Sequence, residues 1–302
     1  MSYEWGLPGN DEPTLFLNKI AVRVRKNLYD GLVAIRDQQR DLSIWIDALC
    51  INQADTSERG HQVGIMGKIF RSAKKVLIWL GPERDGSDIA MDRIATEARP
   101  DFTRDTVLNE EEARSLSALW NRPYWNRVWI QQEIHLATDY TVYCGTKFLP
   151  RKKFMWSKRL IISLHRIRGI KWATTLNAAW FILGNDDVGN PLSLWLRVST
   201  DLGFMASEPR DYIYAFLGIA CDCQEGQIVP DYHKGVLEVY LEALTICNNP
   251  SKLESWRLER LRETARALAV QLGLSVDETL ERLVKERVGL DIRRRPIWSA
   301  SV

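Results

Sequence analysis

The sequence predicts an α/β protein with a parallel-sheet core and a mostly helical C-terminal half. Three observations carry this expectation. The run Leu42-Ser-Ile-Trp-Ile-Asp-Ala-Leu-Cys-Ile51 is apolar and rich in β-formers, and reads as a buried strand. Asp55-Thr-Ser-Glu58 matches a D-x-x-E capping pattern and opens a helix with Val63, Met66 and Phe70 on one side. Val76-Leu-Ile-Trp-Leu-Gly81 reads as a second buried strand, stopped by Gly81-Pro82. Strand, capped helix and strand in close succession form a βαβ unit, which implies parallel strands and a right-handed crossover. Asp47, Asn52 and Gln53 are thereby expected near the carboxyl end of a parallel strand, where open α/β sheets bind ligands.

The remaining elements follow in order. Residues 15–17 and 20–24 alternate around Asn18-Lys19 and predict a short hairpin. Asn27 is placed to cap a helix whose Leu28, Leu32 and Ile35 share one face. Helical character recurs over 89–98 and 110–119. In the block 122–137, Trp125, Val128, Trp129, Gln132 and Leu136 recur at helical spacing, so an aromatic-striped helix is expected. Residues 140–144 and 147–149 resemble a hairpin around Gly145-Thr146. Helices are expected over 154–168, 172–183, 192–202, 212–219 and 235–247, and two more in the tail. The first of those two covers 256–272, and the capping box Ser275-Val-Asp-Glu278 starts the second. The organisation read from this pattern is an α/β core over 1–150, a helical continuation over 151–250 and an appended helical hairpin or tail over 251–302.

Composition narrows the function classes. The 302 residues carry 41 Lys+Arg against 39 Asp+Glu, a formal net charge of +2. No global field gathers nucleic acid or anionic membrane, so neither is an expected partner. Five cysteines are an odd number and too few for a disulfide scaffold, which predicts reduced thiols in a cytoplasmic protein. Cys50, inside the apolar run, is expected to be buried with a raised thiol pKa. His61, His135, His165 and His233 lie far apart and form no metal-binding spacing, so no metal is expected. The opening residues have no basic or apolar signal region. The most apolar stretch, 172–183, falls short of the ~20 residues a membrane span needs. The unusual feature is 12 Trp. Seven of them, Trp5, Trp45, Trp79, Trp120, Trp125, Trp129 and Trp195, mark or approach the motifs below, and core packing against polar motif residues is their expected use.

Those motifs are Ser2-Tyr-Glu-Trp-Gly6; Ile44-Trp-Ile-Asp-Ala-Leu-Cys-Ile-Asn-Gln53 with Glu58-Arg59 and Gln62-Val63; Ala73-x-x-Val76-x-x-Trp79-Leu-Gly81; Arg122-Pro-Tyr-Trp-Asn-Arg-Val-Trp-Ile-Gln-Gln-Glu133; Pro209-Arg-Asp-Tyr-Ile-Tyr-Ala-Phe-Leu-Gly218; and Pro230-Asp-Tyr232. Taken in this order over about residues 2–248, they resemble the fungal heterokaryon-incompatibility (HET) domain. Glu208 departs from that pattern, which has Asp before the Pro-Arg-Asp, and 251–302 match nothing in it. The pattern also has a strand before its opening motif, which is expected to be missing here. The resemblance implies a death-inducing effector of non-self recognition, partnered by itself or by incompatibility-system proteins. It further implies a Toll/interleukin-receptor-like (flavodoxin-like) sheet.

Candidate chemistry rests on few residues. Asp47 offers a base or a ribose-hydroxyl ligand, and Asn52 and Gln53 can read a base or carbonyl edge. The alternative is capping by Asp55 and Glu58 and loop support by the two amides. Arg127 and Gln131 stand at i, i+4, but Glu133 lies six beyond Arg127, off its helical face. Arg127 is therefore expected to meet another carboxylate, with Asp47 and Asp211 the candidates. Its planar fork suits a carboxylate or a ligand phosphate. Arg210 and Asp211 precede an apolar helix, where Asp211 complements the helix dipole. No nucleophile elbow, P-loop or dinucleotide fingerprint is present. Three readings stand: an assembly effector, which the resemblance implies; an NAD or nucleotide glycohydrolase, implied by analogy with Toll/interleukin-receptor-like proteins, with Glu58 or Glu133 as catalytic carboxylate and NAD as the molecule bound; and a degenerate, inactive fragment. No cofactor is expected under the first.

Overall fold

The computed structural model describes residues 1–9, 11–38, 42–96, 108–155, 157, 160, 189–223, 226–248 and 255–293. The chain divides into two compact units, one of residues 1–53 and 66–186 and one of 54–65 and 187–302.

The first unit carries a four-stranded sheet of order β1-β4-β5-β6: β1 (Ser2–Tyr3), β4 (Val76–Trp79), β5 (Tyr140–Cys144) and β6 (Lys147–Pro150). The pairs β1–β4 and β4–β5 are parallel, and β5–β6 is an antiparallel hairpin. All of β4 and β5 is buried, as expected of parallel strands covered on both faces. Tyr3, Leu77 and Trp79 pack on α1 (Lys26–Gln38) through Leu28 and Ile35. A Cβ on Gly31 of this helix would lie 2.9 Å from Trp79 Cγ, so only glycine permits so close an approach.

The 42–51 run is not a strand. Residues 42–46 are irregular, and Asp47–Cys50 forms one helical turn, α2. A strand has two neighbours, and β4 already has β1 and β5. The parallel crossover is real, but its first strand is β1, in the opening motif, and the connection contains the 14–23 hairpin, α1, α2 and α3 (Thr56–Ser72). Asn27 is not a cap either. It lies inside α1, with its amide donating to the Glu4 carbonyl at 2.6 Å and accepting from the Trp79 indole at 2.9 Å. Cys50 is exposed, because α2 turns it away from the core.

The hairpin β2 (Thr14–Leu17) and β3 (Ile20–Arg23) closes through Asn18 and Lys19, both at positive φ (50° and 68°), the geometry of a type I′ turn. Helices α4 (Ser87–Thr96) and α5 (Glu110–Trp120) match expectation, α5 with a complete Asn109–Glu112 capping box. The 122–137 helix is broken: Pro123–Asn126 is a 3-10 turn, Arg127 is extended (φ −69°, ψ 131°), and α6 spans only Ile130–His135. Its aromatic residues still pack, with Trp125 4.5 Å from Trp120 and stacked on Phe154 of α7 (Arg151–Met155).

The second unit contains α8 (Leu192–Leu202), α9 (Asp211–Leu217), α10 (Val236–Cys247), α11 (Ser255–Gln271) and α12 (Glu278–Val288). The tail helices are built into it: Tyr240 Oη donates to the Ala265 carbonyl at 3.0 Å, and Leu268, Val284 and Ile292 are buried. Asp277 rather than Ser275 caps α12, accepting from Leu280 N at 2.9 Å. Of the helices expected over 154–168 and 172–183, only Phe154 and Met155 at the end of α7, Ser157 and Leu160 fall within the described residues.

Candidate functional site

The motif residues collect in two places. In the first unit, alternation along β1 sends Tyr3 toward α1 and Ser2 to the opposite face, where the 3-10 turn and α6 meet it. Ser2 Oγ donates to Glu133 Oε2 and lies 2.6 Å from Tyr124 Oη. Arg127 Nη2 sits 3.4 Å from Glu133 Oε1. With Glu133 ionised, its oxygens only accept, so the Ser2 proton goes to Glu133 and Tyr124 donates to Ser2. Two segments more than 120 positions apart thus share one buried hydrogen-bond chain.

Arg127 therefore pairs with Glu133, contrary to the helical-face argument. The helix that argument assumed is interrupted, and the extended backbone at Arg127 brings its fork back over α6. Glu133 is 3% exposed. Burial raises its pKa, opposed by Arg127 and by the Ser2 hydrogen bond. Burial alone would lower the Arg127 pKa, but Glu133 and then Asp47 outweigh it and hold the guanidinium charged. Arg127 Nη1, both amide atoms of the fully buried Gln131, and Gln132 Oε1 have no hydrogen-bond partner among the described residues.

Asp47 opens α2, with its Oδ2 accepting from the Trp5 indole at 2.8 Å, two residues past the carboxyl end of β1. Gln53 Nε2 donates to the Asp47 carbonyl at 3.2 Å, while Asn52 is exposed. Arg25 lies over the Trp5 ring at 5.6 Å. Sequence reasoning missed Ser2 and Tyr124. Their only signal was their place in the opening and central motifs.

In the second unit, Asp55 Oδ1 accepts from Ser57 N and Glu58 N, so the D-x-x-E reading as a cap holds. Arg59 lies 3.9 Å over the Tyr232 ring, and Tyr232 Oη donates to Asp211 Oδ1 at 2.7 Å. Tyr214 Oη donates to the Asp231 carbonyl at 2.9 Å, and burial pushes its pKa up to about 12. Arg210 pairs with Glu208 and donates to the Lys234 carbonyl at 2.7 Å. A Cβ on Gly60 would lie 2.9 Å from the Pro230 carbonyl oxygen, so this glycine lets the helix start meet the 230–232 turn. The Pro-Arg-Asp and Pro-Asp-Tyr motifs thus form a bracket around residues 59–60. Among the described residues no group of three or more His, Cys, Asp or Glu is arranged to hold a metal ion.

The model of the heterokaryon incompatibility protein (HET) family matches residues 1–133. The chain is also 26% identical over 333 aligned positions to heterokaryon incompatibility protein 6, OR allele, of Neurospora crassa. That alignment covers 87% of this chain and 48% of the relative, so the chain spans less than half of that protein's length. No solved structure matches.

Proposed function

We propose that this chain, whose first 133 residues match the HET family, is an effector of fungal heterokaryon incompatibility. It acts in non-self recognition by associating with itself or with partner proteins of the incompatibility system, and its output is programmed cell death in the cytoplasm. The observation that carries the reading is that the whole Ser2–Tyr124–Arg127–Glu133 chain falls inside the matched segment. Both Glu133 oxygens are engaged and the carboxylate is out of solvent, which favours a scaffold that shapes a surface over a catalytic group. The parallel β1–β4–β5 ladder supports a Toll/interleukin-receptor-like reading of the sheet. Near-neutral charge supports protein rather than nucleic-acid partners. Among the described residues no helix is long and apolar enough to cross a membrane.

A second reading, an NAD or nucleotide glycohydrolase, is favoured by one observation: a carboxylate of raised pKa beside an arginine and against β1, the strand that ends at Tyr3. Expression in fungal hyphae, scored by vital-dye uptake, tests both. The effector reading expects death with wild type and with Glu58→Gln, and no nicotinamide release from NAD by the purified chain. Nicotinamide release that Glu133→Gln or Glu58→Gln abolishes would establish the glycohydrolase instead. A cooperatively folded chain without toxicity would leave the inactive-fragment reading.

A further inference from the structure

The β2–β3 hairpin has no third strand among the described residues, and its two edges differ. The Val24 amide donates to the Pro13 carbonyl at 2.9 Å, which sets the phase of the ladder. With the register Leu15↔Val22 and Leu17↔Ile20, those residues turn their backbone groups inward. Thr14 and Phe16 then present their N–H and C=O groups along the outer edge of β2. Side chains sort differently. Leu15 and Val22 pack on the core, whereas Phe16, Leu17 and Ile20 are 75%, 39% and 67% exposed.

Monomeric proteins blunt such edges with charge. Here the β3 edge has Arg23, and the tip has Lys19. The β2 residues Thr-Leu-Phe-Leu carry no charge.

We infer that β2 is a homotypic docking edge that pairs antiparallel with β2 of a second copy about a two-fold axis. The geometry permits a self-complementary register centred on Leu15. Thr14 of each copy faces Phe16 of the other, exchanging four backbone hydrogen bonds, and the two hairpins merge into one four-stranded sheet. An isologous contact of this kind closes at two copies. Phe16 projects from one face of the hairpin and Leu17 and Ile20 from the other, and their exposed apolar surface together, on the order of 300–400 Å² per copy, is smaller than the ~800 Å² per partner of a standard interface. The dimer is therefore weak and concentration-dependent, suited to forming only when local concentration rises.

This inference rests on the self-association part of the function proposed above. Sedimentation velocity of the full chain across micromolar concentrations tests it. Wild type shows a dimer fraction that grows with concentration. Phe16→Glu places a charge on the edge, and Phe16→Pro removes one outward N–H without touching a bond of the hairpin ladder. Each weakens dimerisation about tenfold or more, with an unchanged far-UV circular dichroism spectrum, while Phe16→Tyr retains the dimer. A chain that stays monomeric throughout overturns both the edge and self-association. A dimer that all three substitutions leave unaltered overturns the edge alone.

Discussion

The residues that matter most are held by charge and hydrogen bonding in a place water does not reach. Ser2 satisfies both Glu133 and Tyr124, so Ser2→Ala strands two buried polar atoms. The expected cost is about 1–3 kcal/mol, read as a lowered denaturant midpoint at unchanged m-value. Glu133 gives a signed pH dependence. Burial raises its folded pKa above the unfolded carboxylate value of about 4.3, so the folded state binds this proton more tightly. Its contribution to stability is full below the unfolded pKa and is lost as pH rises through the folded one. Unfolding free energies of wild type and Glu133→Gln, compared from neutral to acidic pH, should therefore move in favour of wild type on acidification. The reverse trend would mean that the Arg127 charge, not burial, governs this carboxyl. Arg127 and Glu133 were both visible in the central motif. Their pairing was hidden, because a six-residue spacing joins two side chains only when the helix between them is broken.

At the scale of elements, several local features were read correctly, although the caps assigned to Asn27 and Ser275 were not. The two-residue turn at Asn18-Lys19, the capped start of α3 and the Gly145-Thr146 hairpin depend on neighbours within a few positions. Elements that depend on a distant partner were misjudged. Ser2–Tyr3 is too short to show any periodicity and is a strand only because β4 lies beside it. The 42–51 run has the composition of a strand but no free edge of β4 to occupy. Close approaches belong to this scale as well. Gly60→Ala pushes a methyl against the Pro230 backbone oxygen, which cannot swing aside. The expected loss is about 1–3 kcal/mol, measured by hydrogen exchange across α9 and the 230–234 turn. Unchanged protection there would show that helix and turn separate without cost.

Over the whole molecule, the cysteines report burial directly. Cys50 and Cys221 are exposed, Cys144 and Cys247 are buried, and burial raises the thiol pKa of Cys144, Cys223 and Cys247. A chromogenic disulfide reagent at neutral pH should modify Cys50 and Cys221 rapidly and the others only on unfolding. Rapid labelling of Cys144 would contradict the packing at the end of β5. Five of the tryptophans also resolve at this scale: Trp79, Trp120, Trp125 and Trp195 lie in the cores, and Trp5 joins the Asp47 carboxylate at the sheet edge. By itself the sequence determined the α/β class, the turns, most helices and the HET resemblance, because capping, periodicity and motif order are properties of nearby residues. Only the tertiary structure decided which strand stands beside β4, that Ser2 joins Tyr124 and Glu133, and that the later motifs bracket residues 59–60. Those choices rest on hydrogen bonds and burial between segments 76 to 173 positions apart, whose partners no local pattern names.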